Sequence, residues 1–284
     1  MNPSLFAARI GLSRGWIEFR QTVTNAQDLL FTIITTGALV LTLYFQRGST
    51  VPGLELSLAA ATLPGLLGLS LAFNGVIGAV GRLSVEREDG TLLRAKALPQ
   101  GMLSYLVGCV VSLSLAAICG VVLVLAAGLF LVPELAGVGL GGWLTIGWVT
   151  VLGLTATLPW GAVIGSFARS PQAATGLSML TFGGVAAVSG IFYPITALAG
   201  WLQVVGQAFP VYWLGLGMRS ALLPDAAAAA ELTGSWRPWQ TLAVLLAWSV
   251  AGLLLAPPIL RRMARRETGS LMQARRERAS QRIG

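Results

Sequence analysis

The densest group of ionisable residues in the first 260 positions runs from Arg82 to Pro99, with the sequence RLSVEREDGTLLRAKALP. Long apolar stretches flank this charged segment on both sides. Its acidic residues Glu86, Glu88 and Asp89 are not needed to orient a membrane protein, because acidic residues contribute little to orientation. The mixed charge therefore favours a docking element read by a partner outside the membrane. The alternative is a solvated loop whose basic residues only set the topology.

The charged segment divides at Gly90. Residues 82–88 are predicted to continue the preceding apolar helix, and Gly90 is predicted to end it. A short second helix follows over Leu92–Leu98, with Asp89 or Thr91 able to cap its first turn. The leucines on this helix that we expect to face lipid or a partner's groove are Leu92, Leu93 and Leu98.

The sequence lacks the residues that several other kinds of chemistry require. The sequence has no His and only two cysteines, Cys109 and Cys119, which one helix would hold about 15 Å apart, too far for a disulfide. No predicted membrane span contains Asp, Glu, Lys or Arg, and no phosphate-binding loop of the form GxxxxGK[ST] is present. An intramembrane enzyme is therefore disfavoured, no cofactor or metal is expected on this chain, and energy for uphill transport would have to come from another polypeptide.

The composition predicts a membrane protein. Of the 284 residues, 55% are hydrophobic and 11% are charged, and the mean hydropathy is +0.76. A soluble domain carries about 25% charged residues, so most of this chain should be solvated by lipid. The net charge of +8 is spread over short loops and a tail, which fits membrane topology and anionic lipid better than nucleic acid.

The first 28 residues predict an amphipathic helix lying along the membrane interface. A soluble surface helix is the alternative. No cleavable signal peptide is expected. At 100° per residue, the apolar side holds Leu5, Leu12, Trp16, Phe19 and Val23. The polar side holds Arg14, Glu18, Gln21 and Asn25.

Six apolar stretches are predicted to cross the membrane, which makes the expected fold an all-α integral membrane protein. The expected spans are Leu29–Phe45, Leu58–Val80, residues 102–132, Trp143–Phe167, Ala173–Phe192 and Trp239–Leu260. Between the last two, residues 193–238 are broken by Pro and Gly into pieces that predict re-entrant half-helices. The chain thus divides into an interfacial helix (1–28), a six-span domain (29–260) and a basic tail (261–284) that we expect to be partly disordered beyond Gly269.

The basic residues predict the orientation of the spans. With the N-terminus in the cytoplasm, sixteen of the nineteen Lys and Arg residues fall on the cytoplasmic side. Both termini are then cytoplasmic, and so is the charged segment 82–99.

Two motifs resemble those of the permease subunits of ABC-2 type exporters, the drug, polyketide and glycan efflux branch of the ATP-binding cassette transporters. One runs from Glu86 to Leu92 (EREDGTL) with Pro99 after it. The other is SGIFYP at 189–194, followed by the tripeptide GWL at 200–202 and by Pro210. Ala199 stands where relatives often have Pro, and residues 211–218 are more aromatic than is usual, so the substrate type stays open.

The resemblance implies two partners. A pair of separate ATPase subunits, which would carry the ATP and Mg²⁺, would dock on the charged segment and the N-terminal helix, and a second permease, of the same or a different chain, would complete the transporter. The residues implied to couple to the ATPase are Glu86, Arg87, Glu88, Asp89, Gly90, Thr91, Leu92 and Arg94. The substrate route is implied to follow the second and fifth spans, with Asn74, Met179, Phe182 and Phe192 as lining residues. Ordinary helix packing is the alternative role for these four.

The sequence also offers two glycine pairs as close-contact points between helices, Gly161-x-x-x-Gly165 and Gly183-Gly184.

The leading functional hypothesis is a non-catalytic permease of a plasma-membrane exporter, moving amphipathic drug-like, lipid or glycolipid molecules out of the cell. The alternative is a membrane scaffold that recruits a soluble partner through the charged segment and transports nothing.

Overall fold

The computed structural model describes residues 3–50, 56–135, 137–168 and 170–266. Within these ranges the chain forms ten α-helices, three short 3₁₀ turns and one isolated bridge between Thr50 and Ser57. The helices are α1 (Pro3–Thr22), α2 (Ala26–Gln46), α3 (Leu58–Glu88), α4 (Thr91–Ala97), α5 (Gly101–Leu131), α6 (Leu140–Phe167), α7 (Pro171–Ala187), α8 (Gly200–Ala208), α9 (Pro210–Leu222) and α10 (Pro238–Arg266). The expected all-helical class is confirmed for the described residues.

Helix α3 is the central element of the bundle. Ser57 caps it by accepting a hydrogen bond from the amide of Ala60 at 3.2 Å. Its 31 residues make a rod about 46 Å long, and α5, α6, α7 and α9 pack around it. Leu63, Leu67 and Leu71 along its length are completely buried. An apolar helix buried on several sides is what a central position in the bundle requires.

Five helices are long and apolar enough to cross a membrane: α2, α3, α5, α6 and α10. They coincide with the first four predicted spans and the sixth. The fifth predicted span, Ala173–Phe192, is only partly helical, because α7 ends at Ala187 and Gly190 adopts a left-handed φ of +66°. At 17 residues α7 is about 25 Å long, shorter than a typical hydrocarbon core, so a sixth span is not established.

The segment between α7 and α10 contains the two short helices predicted there, α8 and α9. Pro210 begins α9 at its first turn, where a missing amide hydrogen costs nothing. All residues from Pro210 to Met218 are buried, and α9 packs against α3, α6 and α10. The depth of these helices in a membrane remains a prediction.

Helix α1 packs alongside α5 with its backbone unusually close. A methyl group added at Gly11 or Gly15 would lie 2.7 Å from a carbonyl oxygen of α5, that of Ser104 or Gly108. The predicted polar side, with Arg14 and Glu18, turns toward the bundle, and the apolar side is exposed, with Trp16 57% accessible. This polarity suits a helix whose outer face meets lipid, and its interfacial depth remains a prediction.

Helix α10 extends to Arg266, six residues beyond the predicted end of the last span at Leu260. The first part of the predicted basic tail is therefore helical. The disorder predicted beyond Gly269 lies outside the described residues.

Candidate functional site

The charged segment folds as a helix break followed by a short helix. Helix α3 continues to Glu88, Asp89 is its C-cap, and Gly90 has a φ of +79°, a conformation that favours glycine. The backbone amide of Thr91 donates a hydrogen bond to the Asp89 carboxylate at 2.8 Å and so starts α4. The break at Gly90 and the contribution of Asp89 are as the sequence predicted.

Helix α4 lies with one side against the bundle. Leu92 is only 2% exposed and packs in a cluster with Leu83, Tyr105 and Met263. The expectation that Leu92 faces lipid or a partner's groove was wrong, because the gap between α3, α5 and α10 buries it. Leu98 is 65% exposed, as predicted. The basic side chains Arg94 and Lys96 lie on the exposed side of the helix.

Arg82, about two turns before the helix break, is the centre of an ionic cluster. Its guanidinium Nη2 lies 2.5 Å from Glu18 Oε2 on α1 and 3.1 Å from Glu86 Oε1 on its own helix. Its Nη1 donates to Ser112 Oγ on α5 at 2.6 Å. One cation thus joins α1, α3 and α5.

A second arginine completes the cluster. Arg14 Nε on α1 lies 2.7 Å from Glu18 Oε1, and its Nη2 lies 3.6 Å from Glu86 Oε1. The Tyr105 hydroxyl on α5 donates to Glu86 Oε2 at 2.6 Å, and the Arg14 guanidinium lies 5.3 Å from the Tyr105 ring centre. Two carboxylates therefore meet two guanidinium groups, and the formal charge of these four groups is zero.

The charges around Arg14 change the pKa of its guanidinium group. Partial burial by itself lowers the pKa of Arg14, but the hydrogen bond and charge of Glu18 and the charge of Glu86 outweigh it, so this pKa is raised. Glu86 is 9% exposed and accepts hydrogen bonds from Arg82 and Tyr105. A carboxylate this deeply buried is stable only when it is paired in this way.

Arg87 makes a separate link to α6. Its Nη1 donates to the carbonyl oxygen of Ala168 at 2.9 Å and lies 3.4 Å from that of Gly165. These carbonyls are at the C-terminal end of α6, where a cation is favoured by the helix dipole. The end of α3 is therefore tied to α6 as well as to α1 and α5.

The predicted coupling residues differ in their burial. Glu86, Gly90 and Leu92 are buried, Arg87, Glu88 and Thr91 are half-buried, and Asp89 and Arg94 are exposed. Sequence reasoning missed Arg14 and Arg82 as partners of Glu86, and it missed Glu18 as the second carboxylate that both arginines contact. The signal that could have pointed to them is the i,i+4 spacing of opposite charges at Arg14–Glu18 and Arg82–Glu86.

The four predicted route residues are not brought together. Asn74 donates to the carbonyl of Ser70 at 2.8 Å, within its own helix. Phe182 is 8% exposed and packs edge-on against Phe73 of α3 at 5.5 Å between ring centres. Met179 and Phe192 are 48% and 61% exposed. Their assignment to a substrate route stays a prediction.

The two glycine pairs differ in their surroundings. A methyl group at Gly161 would lie 2.4 Å from the Val76 carbonyl oxygen, and one at Gly165 would lie 3.3 Å from the Cα of Val80. Both are close contacts between α6 and α3, as expected. Methyl groups at Gly183 and Gly184 would meet nothing within 4 Å, so this pair makes no close contact within the described part of the chain.

Among the described residues, no group of three or more His, Cys, Asp or Glu side chains could hold a metal ion. The charges near the α3–α4 junction join α1, α3 and α5, and Arg94 and Lys96 lie on the exposed side of α4.

Five long apolar helices around a buried core define a multi-pass helical membrane protein. The family model of the ABC-2 type transporter matches residues 8–223, and the chain belongs to this family. The resemblance noted from the sequence is confirmed. The chain is therefore a permease component of a transporter, a role that is generally non-catalytic. A comparison with curated proteins finds no match.

Proposed function

We propose that this chain is the permease subunit of an ATP-driven exporter, and that α4 is the helix on which a separate ATPase subunit acts. The observation that carries the proposal is the ionic cluster at the base of α4, which joins α1, α3 and α5. A force applied to the exposed side of α4 would reach three helices at once through Arg82 and Glu86.

The junction between α3 and α4 is held by contacts that are costly to break. Removing one partner of a buried ion pair costs about 3–5 kcal/mol, because the other charge is left buried and unpaired. Arg87 adds hydrogen bonds to the end of α6. Helix α4 itself is held by the buried Leu92 and Ala95. A displacement of α4 would therefore move the ends of these helices together, and the left-handed Gly90 is the point where the chain can bend.

The exported substrate is proposed to be amphipathic: a drug-like natural product, a lipid or a glycolipid. The surface of α7 supports both an amphipathic substrate and a second permease subunit. Its inner side packs on α3, whereas Leu180 and Met179 on its outer side are 77% and 48% exposed. Gly183 on α7 has free space where a side chain would be. An apolar face without fixed charges suits a partner helix with an amphipathic molecule passing between.

The test is reconstitution of the chain with its ATPase in proteoliposomes, followed by measurement of ATP hydrolysis and of substrate efflux. The informative variant is Arg94→Glu. Arg94 is exposed on α4, so this substitution reverses the charge at that position without disturbing the buried cluster. The matched control is Arg47→Glu, an exposed arginine after α2, at the opposite end of α3. Arg94→Glu is expected to abolish efflux or ATPase binding, and the control is expected to retain both.

Equal efflux in the two variants would contradict coupling through α4. The scaffold hypothesis makes a different prediction: the partner binds through α4, Arg94→Glu weakens that binding, and no candidate substrate is transported by the wild-type complex.

A further inference from the structure

A cavity of about 240 Å³ lies between α5 and α10 on the α4 side of the bundle, with α3 and α6 as its floor. Val110 on α5 and Leu253 on α10 both line it and are 53% and 57% exposed. The cavity therefore opens sideways between two helices that are long and apolar enough to face lipid. It lies apart from the predicted substrate-route residues, none of which lines it.

The cavity is narrow and long. Its lining runs from Leu253 to Met263 along α10 and from Met102 to Ser114 along α5, roughly 15 and 18 Å at the helical rise. Pockets for drug-sized ligands measure about 300–1,000 Å³, so this cavity is small for such a molecule. The shape favours a slender chain.

The interior of the cavity offers little to water. Three of the polar side chains at its wall are engaged elsewhere: Tyr105 donates to Glu86, Arg82 binds Glu18, Glu86 and Ser112, and Thr155 pairs with Ser249 at 2.9 Å. The Ser114 hydroxyl also belongs to the wall. The rest of the wall is almost entirely apolar. Apolar cavities of this kind stay dry and bind apolar molecules.

Basic residues adjoin in sequence the residues that line one end of the cavity. Leu92 of α4 and Leu260 and Met263 of α10 line that end. The exposed basic residues adjacent to them in the chain are Arg94, Lys96, Arg261, Arg262 and Arg265. Two acidic residues, Glu88 and Asp89, are nearby in sequence, which leaves an excess of positive charge. Surface Lys and Arg residues attract anionic headgroups at about 1 kcal/mol each.

We propose that this cavity is a binding site for an anionic phospholipid. One acyl chain lies between α5 and α10, and the phosphate lies beside Arg261 and Arg262. The proposal does not depend on transport, so it stands or falls separately from the function proposed above. Because Leu92 forms part of the wall, the bound chain would contact α4 directly.

The experiment uses the full chain in nanodiscs that contain phosphatidylglycerol with a photoreactive group on one acyl chain, followed by peptide mapping by mass spectrometry. Labelling is expected on the α5 and α10 peptides that line the cavity. Val110→Trp should block the opening and remove most of this labelling. Val122→Trp is the matched control, because Val122 is on the same helix, equally exposed at 55%, and outside the cavity.

A second pair of variants protects the test against misfolding of the first. Leu253→Trp should also block the opening, from the α10 side. Leu254→Trp is its control, since Leu254 is 70% exposed and does not line the cavity. Equal labelling in blocked and control variants of both pairs would overturn the proposal.

The headgroup is tested by competition between phosphatidylglycerol and phosphatidylcholine of the same acyl chains. Arg261→Gln with Arg262→Gln is expected to lower the preference for the anionic lipid by roughly ten- to thirty-fold, the equivalent of about 1 kcal/mol for each arginine. Arg9→Gln with Arg20→Gln changes the net charge equally at two exposed positions of α1 and should leave the preference intact.

Three results would overturn the proposal, because they would show that the cavity does not select an anionic lipid or that it has another occupant. Equal labelling by the two lipids in the wild type would remove the role of the anionic headgroup. Displacement of the lipid by a drug-sized amphipathic compound would make the cavity a substrate site. A disulfide between two chains carrying Val110→Cys would show that a second copy covers the opening.

Discussion

Two regions of the bundle are held together by different contacts. Near α4, Arg82 and Glu86 join α3 to α1 and α5 through charges. In the α8–α9 region, Trp213 on α9 donates from its indole to the carbonyl of Gln207 at 2.7 Å, and Trp248 on α10 donates to that of Ala208 at 2.9 Å. These two carbonyls belong to the last residues of α8, which a helix leaves without a partner. The first region joins long helices to one another, and the second satisfies a break in the chain.

The two regions differ in how many helices one side chain connects. Arg82 contacts groups on α1, α3 and α5. Each indole donates to a single backbone carbonyl. We therefore expect one substitution in the ionic cluster to loosen more helices than one substitution at either indole.

The largest expected effect is that of Arg82→Ala. Among the described residues, it leaves Arg14 as the one cation for Glu18 and Glu86, and Arg14 reaches Glu86 only at 3.6 Å, so we expect a loss of roughly 3 kcal/mol of stability. The measurement is thermal unfolding in detergent. Arg20→Ala, an exposed position on α1, is the control and should stay within about 0.5 kcal/mol of wild type. Similar unfolding of both variants would show that the cluster does not hold the helices together.

A smaller effect is expected from Trp213→Phe in the α8–α9 region. Phe has no indole N–H, so the carbonyl of Gln207 loses its donor, and the smaller ring leaves a small cavity at this buried position; together these cost about 2 kcal/mol. Trp239→Phe is the control, because Trp239 is 79% exposed. The loss of stability in Trp213→Phe is expected to change little with salt concentration, because no charge is removed. The loss in Arg82→Ala is expected to depend on salt. A marked salt dependence of the loss in Trp213→Phe would contradict this comparison.

The smallest effect is expected from Arg14→Gln. The side chain of Arg14 is 30% exposed, and Arg82 still contacts both carboxylates after its loss. Partly exposed ion pairs contribute about 0.2–1 kcal/mol, and the difference from wild type should shrink at high salt. Unfolding curves at low and high salt provide the measurement. A loss as large as that of Arg82→Ala would mean that Arg14, and not Arg82, is the centre of the cluster.

Local features of the fold could be predicted well. The break at Gly90 was predictable because a glycine between a capping acid and a short amphipathic helix acts over a few residues only. The same holds for α9, which starts at Pro210. The end of α7 was not predictable from hydropathy, because the apolar stretch continues through Ile191 and Phe192 while the backbone turns at Gly190.

The candidate site was predicted only in part. Glu86 was singled out correctly as unusual, but for a surface contact, whereas the structure buries it against Arg82 and Tyr105. Its partner on α1, Arg14, is 72 positions away in the chain (86 − 14). Contacts at this separation depend on which helices become neighbours, and neither periodicity nor local charge patterns contain that information.

Composition and periodicity by themselves determined that this chain is a helical membrane protein with one short charged helix between two apolar ones. They did so because hydrophobicity and helix breaks are local properties. Only the tertiary structure decided that Gly161 makes a close contact and Gly183 does not, and that Arg14, Glu18, Arg82 and Glu86 form one cluster. Identical residue types acquire different roles because packing determines what each one touches, and packing is a property of the whole bundle.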